Sequence, residues 1–124
     1  MSPKTRFEAG RNIAIKVPPH QFDATVRFYR DVLGLKPITK HAPAVGFEFG
    51  SNNLWIDNVP GVSQAEIWLE VTTHDVAAAA KQLAAEGIAR CDEIEPLPKD
   101  FQAFWISSPA SIVHLVCKDG ESWS

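Results

Sequence analysis

Ten polar or aromatic side chains sit at alternate positions of apolar, strand-like runs, and they hold most of the chemistry this chain can offer. If Ile13, Ile15, Val17, Leu54, Ile56, Ile67, Leu69, Val71, Val113 and Leu115 face covering helices, the strand period of two turns their neighbours to the opposite face. Those neighbours are Asn12, Lys16, Trp55, Asp57, Glu66, Trp68, Glu70 and His114, joined by Glu48 and Trp105 if Phe47, Phe49, Phe104 and Ile106 belong to the core. Three of the four tryptophans then share a face with carboxylates and one histidine. Aromatic walls offer π faces to flat or cationic molecules, and placed carboxylates select a cation or a hydrogen-bond donor. A Glu66–His114 pair has the composition of a general acid and base for enolisation or ring opening, although the same two groups would also serve as a purely structural pair. Trp68 fits a ligand wall and a contact with a second copy of the chain equally well.

The elements that must position these groups come in two similar series. Ile13, Ile15 and Val17 alternate as a strand over 12–17, ended by Pro18 and Pro19. Phe22, Val26, Tyr29, Val32 and Leu33 have helical spacing, and Gly34 stands where a left-handed cap is expected. Extended runs at 36–41, 45–50 and 53–59 follow, with a turn at SNN. After a short PGVSQ connector the order recurs: a strand at 66–71, a helix at 74–87 capped by Thr73 or Asp75 and stopped by Gly87, then extended runs at 91–97, 102–107 and 111–117. The expected organisation is a single domain over 1–124, with a first βαβββ module at 12–59 and a second at 66–117.

The run NIAIKVP leading to a helix that ends FYRDVLGL resembles the opening of the vicinal oxygen chelate superfamily, which includes glyoxalases, bleomycin-resistance proteins and extradiol dioxygenases. EIWLEV followed by QLAAEGI repeats it in weaker form, so the resemblance covers about 12 to 117. It implies an α+β fold in which two βαβββ modules form a U-shaped mixed sheet with helices outside and the site inside, commonly in paired chains. It also implies a divalent metal held by one side chain from the first and last strands of each half. Carried over by strand register, those positions fall on Asn12, Trp55, Glu66 and His114. Only Glu66 and His114 are competent ligands, with Asp57 as a candidate third, so no cofactor is favoured and a divalent metal is the one to consider.

Two functions follow. The first is a metal-free binding protein, similar to the bleomycin-resistance branch, that holds a small aromatic or cationic molecule among Asn12, Glu48, Trp55, Asp57, Trp68, Glu70 and Trp105. The second is a metal-dependent lyase, isomerase or dioxygenase built on Glu66 and His114.

Composition narrows the field. Twelve basic residues are scattered among fifteen acidic ones for a net charge of -3, which argues against a nucleic-acid partner. The N-terminal residues lack the apolar core of a signal peptide and no run is long enough to span a bilayer, so a cytoplasmic protein without a membrane partner is expected. Cys91 and Cys117 have no metal or redox spacing and read as buried free thiols. His20, His41 and His74 read as surface residues, DEIE at 92–95 as a charged edge strand, and Trp123 as a cover for apolar surface. No phosphate-binding glycine loop, nucleophile elbow or HExxH helix is present.

Overall fold

The computed structural model describes residues 5–120, which hold nine strands and two α-helices; Trp123 lies outside them. They divide into two compact units, Arg11–Trp68 and the residues up to Gly10 together with those from Leu69 onward.

In the first unit, β2 (Asn12–Val17) is followed by α1 (Pro19–Arg27), β3 (Pro37–Ile38), β4 (Val45–Phe49) and β5 (Asn52–Asn58). Pro19 occupies the first helical turn, where its missing N–H costs nothing. The helix does not run evenly to Leu33 as its apolar spacing predicts. At Phe28–Val32 it widens into a π-turn in which the Leu33 amide donates to the Phe28 carbonyl at 2.9 Å, and Gly34 then leaves with φ 68°. β2 pairs with β5 in parallel, β5 with β4 and β4 with β3 antiparallel. The β4–β5 turn is Gly50–Ser51, one residue earlier than the expected SNN, because the positive φ of 63° at Gly50 suits a two-residue hairpin. Val17, Phe47, Leu54 and Ile56 form the core beneath α1, with Ile13, Ile15, Phe22, Val26 and Tyr29 packed on it.

The second unit repeats this topology. β6 (Glu66–Thr73) starts in the first unit, where Glu66, Ile67 and Trp68 pair with β2, and its later residues pair with β9. Then come α2 (Val76–Ala85), β7 (Ala89–Arg90), β8 (Ala103–Ser107) and β9 (Val113–Lys118). β6 and β9 are parallel, while β7, β8 and β9 pair antiparallel. Asp75 caps α2 by accepting from the Ala78 amide at 3.0 Å. Ala79, Phe104, Ile106 and Val116 form the core under this helix, with Val71, Val76 and Leu83 against them. An additional strand, β1 (Phe7–Ala9), which the sequence pattern does not announce, pairs with the end of β6.

The segment 91–97 is a correction. It is a 3-10 turn at Asp92–Ile94 rather than a strand, and only Ala89–Arg90 before it joins the sheet. Pro96 and Pro98 remove the donors a ladder would need, and the Asp92 carboxylate takes the Trp105 amide at 3.0 Å in place of a strand partner.

Candidate functional site

In the first unit, strand register arranges the face away from α1 into three rows. Glu48, Asn53 and Asn12 stand side by side; next come Gly46, Trp55, Ala14 and Trp68; then Asp57, Lys16 and Glu66. An aromatic row with small residues between its rings thus lies between two polar rows. The six candidates that belong to this unit (Asn12, Glu48, Trp55, Asp57, Glu66 and Trp68) share this face.

Each row is locked by its own contacts. Trp55 lies flat on Gly46, where an added Cβ would come within 2.5 Å of the ring, and its Nε1 donates to Asn12 Oδ1 at 2.8 Å. The Asn53 side chain donates to the same oxygen at 3.1 Å, so one amide orients both neighbours. The His41 ring meets Trp55 edge-on, its centroid 5.8 Å away. Lys16, only 4% exposed, pairs with Asp57 at 2.7 Å and sets its ammonium 4.2 Å from the centre of the Trp68 ring. Trp68 Nε1 in turn donates to Glu66 Oε1 at 3.0 Å, leaving Glu66 largely exposed. Both indoles are buried, while Ala14 between them is half-buried. Adjacent strands stand about 4.8 Å apart, so the two tryptophans are anchored about 10 Å from each other across Ala14, enough for one flat ring.

In the second unit, Glu70 and Trp105 lie on the face away from α2, each opposite Leu115 in register. Trp105 Nε1 donates to the Glu95 carbonyl at 2.9 Å. Glu70 is 6% exposed, and its carboxylate lies over Gly10, whose amide donates to the Glu70 carbonyl.

β9 stands one residue out of the expected register. Val116 packs under α2 with Phe104 and Ile106, so His114, two residues earlier, is on that helix-facing side opposite Leu69 and Ile106. Val113 and Leu115, expected to face the helix, point the other way with Trp105 and Glu70. The apolar residues of SIVHLVC lie on both faces, so alternation alone fits either register, and burial of Val116 beneath Ala79 and its neighbours decides between them. His114 Nδ1 is 2.9 Å from the Ile112 carbonyl. His114 therefore does not join the face that carries Glu70 and Trp105.

Sequence reasoning missed three participants. Asn53 was within reach, because the period of two puts it on the face of Trp55; His41 and Gly46 were not, since a loop histidine and a strand glycine give no local signal of a distant indole. Cys91 is half-buried; burial pushes its thiol up, and Glu93 and Asp92 add to that, which suits an inert thiol rather than a nucleophile.

No family model matches the chain, and neither does any curated protein sequence. Solved structures do. The Mn(II)-bound glyoxalase from Novosphingobium aromaticivorans superposes on 93% of this chain with TM-score 0.65 at 21% identity, the match spanning 40% of that longer chain. Methylmalonyl-CoA epimerase from Mycobacterium tuberculosis matches over 95% of this chain and 92% of its own, with TM-score 0.63 and 12% identity. A glyoxalase/bleomycin resistance protein/dioxygenase superfamily member from Vibrio splendidus 12B01 matches over 90% and 100%, with TM-score 0.58 and 14% identity. The chain has the vicinal oxygen chelate fold. At these identities the likeness extends to the fold, and it confirms the α+β, mixed-sheet class.

The positions that the resemblance assigns to a metal are Asn12, Trp55, Glu66 and His114, and each of these side chains has a partner in the structure. Of those in the first unit, Asn12 already accepts two hydrogen bonds and Trp55 is the donor of one of them. Asp57 is held by the Lys16 ammonium, and His114 lies on the helix side of its sheet. Among the described residues, no three His, Cys, Asp or Glu side chains are grouped to hold an ion.

Among the same residues, no helix is long and apolar enough to cross a membrane.

Proposed function

We propose that this chain is a metal-independent binding protein of the vicinal oxygen chelate superfamily that holds a small aromatic or cationic organic molecule on the tryptophan-bearing face of residues 11–68. The observation that carries the reading is the row Gly46–Trp55–Ala14–Trp68: bulky rings on alternate strands with the smallest side chains beside them. A flat group over Ala14 meets an indole on each side. Glu66, exposed beside Trp68, offers a carboxylate to a cationic substituent, and Asn12 and Glu48 offer polar contacts along the neighbouring row. Glu70 and Trp105 lie on the face of the second module away from α2.

Ala14→Leu tests it. The longer side chain fills the floor between the indoles without touching the core beneath α1, so tryptophan-fluorescence titration with aromatic amines should show saturable quenching in the wild type and roughly tenfold weaker binding in the variant. Equal affinity in both would remove the site from this face.

The competing enzyme reading draws its support from the Mn(II)-bound glyoxalase among the structural neighbours. It needs Glu66 and His114 as ligands, and the register of β9 counts against it. Elemental mass spectrometry of protein purified without chelator separates the two, since one equivalent of metal lost on Glu66→Ala would favour the enzyme.

The same proposal places the protein in the cytoplasm as a homodimer, with modules 12–59 and 66–117 acting as one domain. Phe28, Val32 and Leu33, all exposed where α1 ends, supply an apolar patch for a second copy.

A further inference from the structure

Beside the row of Glu48, Asn53 and Asn12, the first unit contains a cleft of about 520 Å³, within the range of small-ligand sites. Its walls carry three cations, Arg11, Lys36 and Lys40, against one carboxylate, Glu48. Such a local excess stands out in a chain whose net charge is -3.

The three cations come from two segments, Arg11 from ahead of β2 and Lys36 and Lys40 from the two ends of β3, and their backbones are fixed. The Arg11 carbonyl accepts the Asn53 amide at 2.8 Å, and the Lys36 carbonyl accepts the Glu48 amide at 2.8 Å. Lys40 follows β3, in a turn closed by the Ala42 amide on the Thr39 carbonyl. Lys36 reaches Glu48 at 3.4 Å and so neutralises the single carboxylate, while among the described residues neither Arg11 nor Lys40 is held in an ion pair. The Gly50–Ser51 turn and Asn52 complete the wall with polar groups. Lysines beside an edge strand often serve only to prevent sheet-to-sheet association, and β3 is such an edge. That explanation covers Lys36 and Lys40 but not Arg11, which enters the cleft from ahead of β2.

We propose that this cleft is an anion site that takes a multivalent oxyanion, a phosphate or polycarboxylate group, with Arg11 and Lys40 as its principal contacts and Lys36 shared with Glu48. The proposal goes beyond the binding function above and stands without it, because no tryptophan lines the cleft. Arg11 brings a planar fork suited to two oxygens of one group, and Lys40 brings a mobile point charge.

Isothermal titration calorimetry at low ionic strength, with pyrophosphate and citrate as separate probes, tests the assignment. Saturable binding of at least one probe is expected, weakened roughly tenfold by Arg11→Gln or Lys40→Gln and unchanged by Lys99→Gln, which lies outside the cleft. Tighter binding of pyrophosphate would assign phosphate chemistry, and tighter binding of citrate would assign carboxylates. Both arginine and lysine side chains are exposed, so circular dichroism should show both variants folded. No saturable heat with either probe, or equal affinity in wild type and variants, would overturn the site.

Discussion

At the scale of single residues, one hydrogen bond says most about the polar row beside the tryptophans. The two first-module positions that the resemblance assigns to a metal are instead donor and acceptor to each other, Trp55 Nε1 to Asn12 Oδ1. The bond depends on the indole lying where Gly46 has no side chain. Gly46→Ala should therefore displace the ring and destabilise the protein by about 1–3 kcal/mol, the usual cost of overpacking. Urea unfolding followed by tryptophan emission measures it, and an unchanged midpoint would mean the ring is elsewhere. Much of this site was legible because Asn12, Trp55 and Asp57 lie in strands with strict alternation. His114 was not, because its apolar neighbours on both sides satisfy either register, and only the packing of Val116 under α2 distinguishes them.

At the scale of elements, the two crossover helices reach the same geometry by different means. α1 begins on proline and ends by widening into a π-turn at Phe28–Val32, whereas α2 begins on a side-chain cap and runs through four consecutive alanines. Its high intrinsic propensity leaves less for the cap to supply. Asp75→Ala should still cost about 1 kcal/mol, read as a lowered thermal midpoint with the helical circular dichroism of the folded state retained. An unaltered midpoint would show that Ala78 finds another acceptor. The strands that sequence located least well are the two-residue ones, β3 and β7, and the three-residue β1. Such short pieces have no periodicity of their own and exist because a longer neighbour offers them a ladder.

At the scale of the whole molecule, the βαβββ order repeats and the match to known folds extends over nearly the full chain, while Asn12, Trp55 and Asp57 are internally paired. Mn²⁺ added to metal-free protein should accordingly leave the thermal midpoint unchanged, since an ion that does not bind the native state cannot stabilise it. A rise that scales with Mn²⁺ and vanishes in Glu66→Ala would contradict this. The contact of Trp55 with Gly46 also bears on what residue this position tolerates. Replacing Trp55 by a carboxylate would open a void above the glycine and leave Asn12 without its indole donor, so these three positions can change only together.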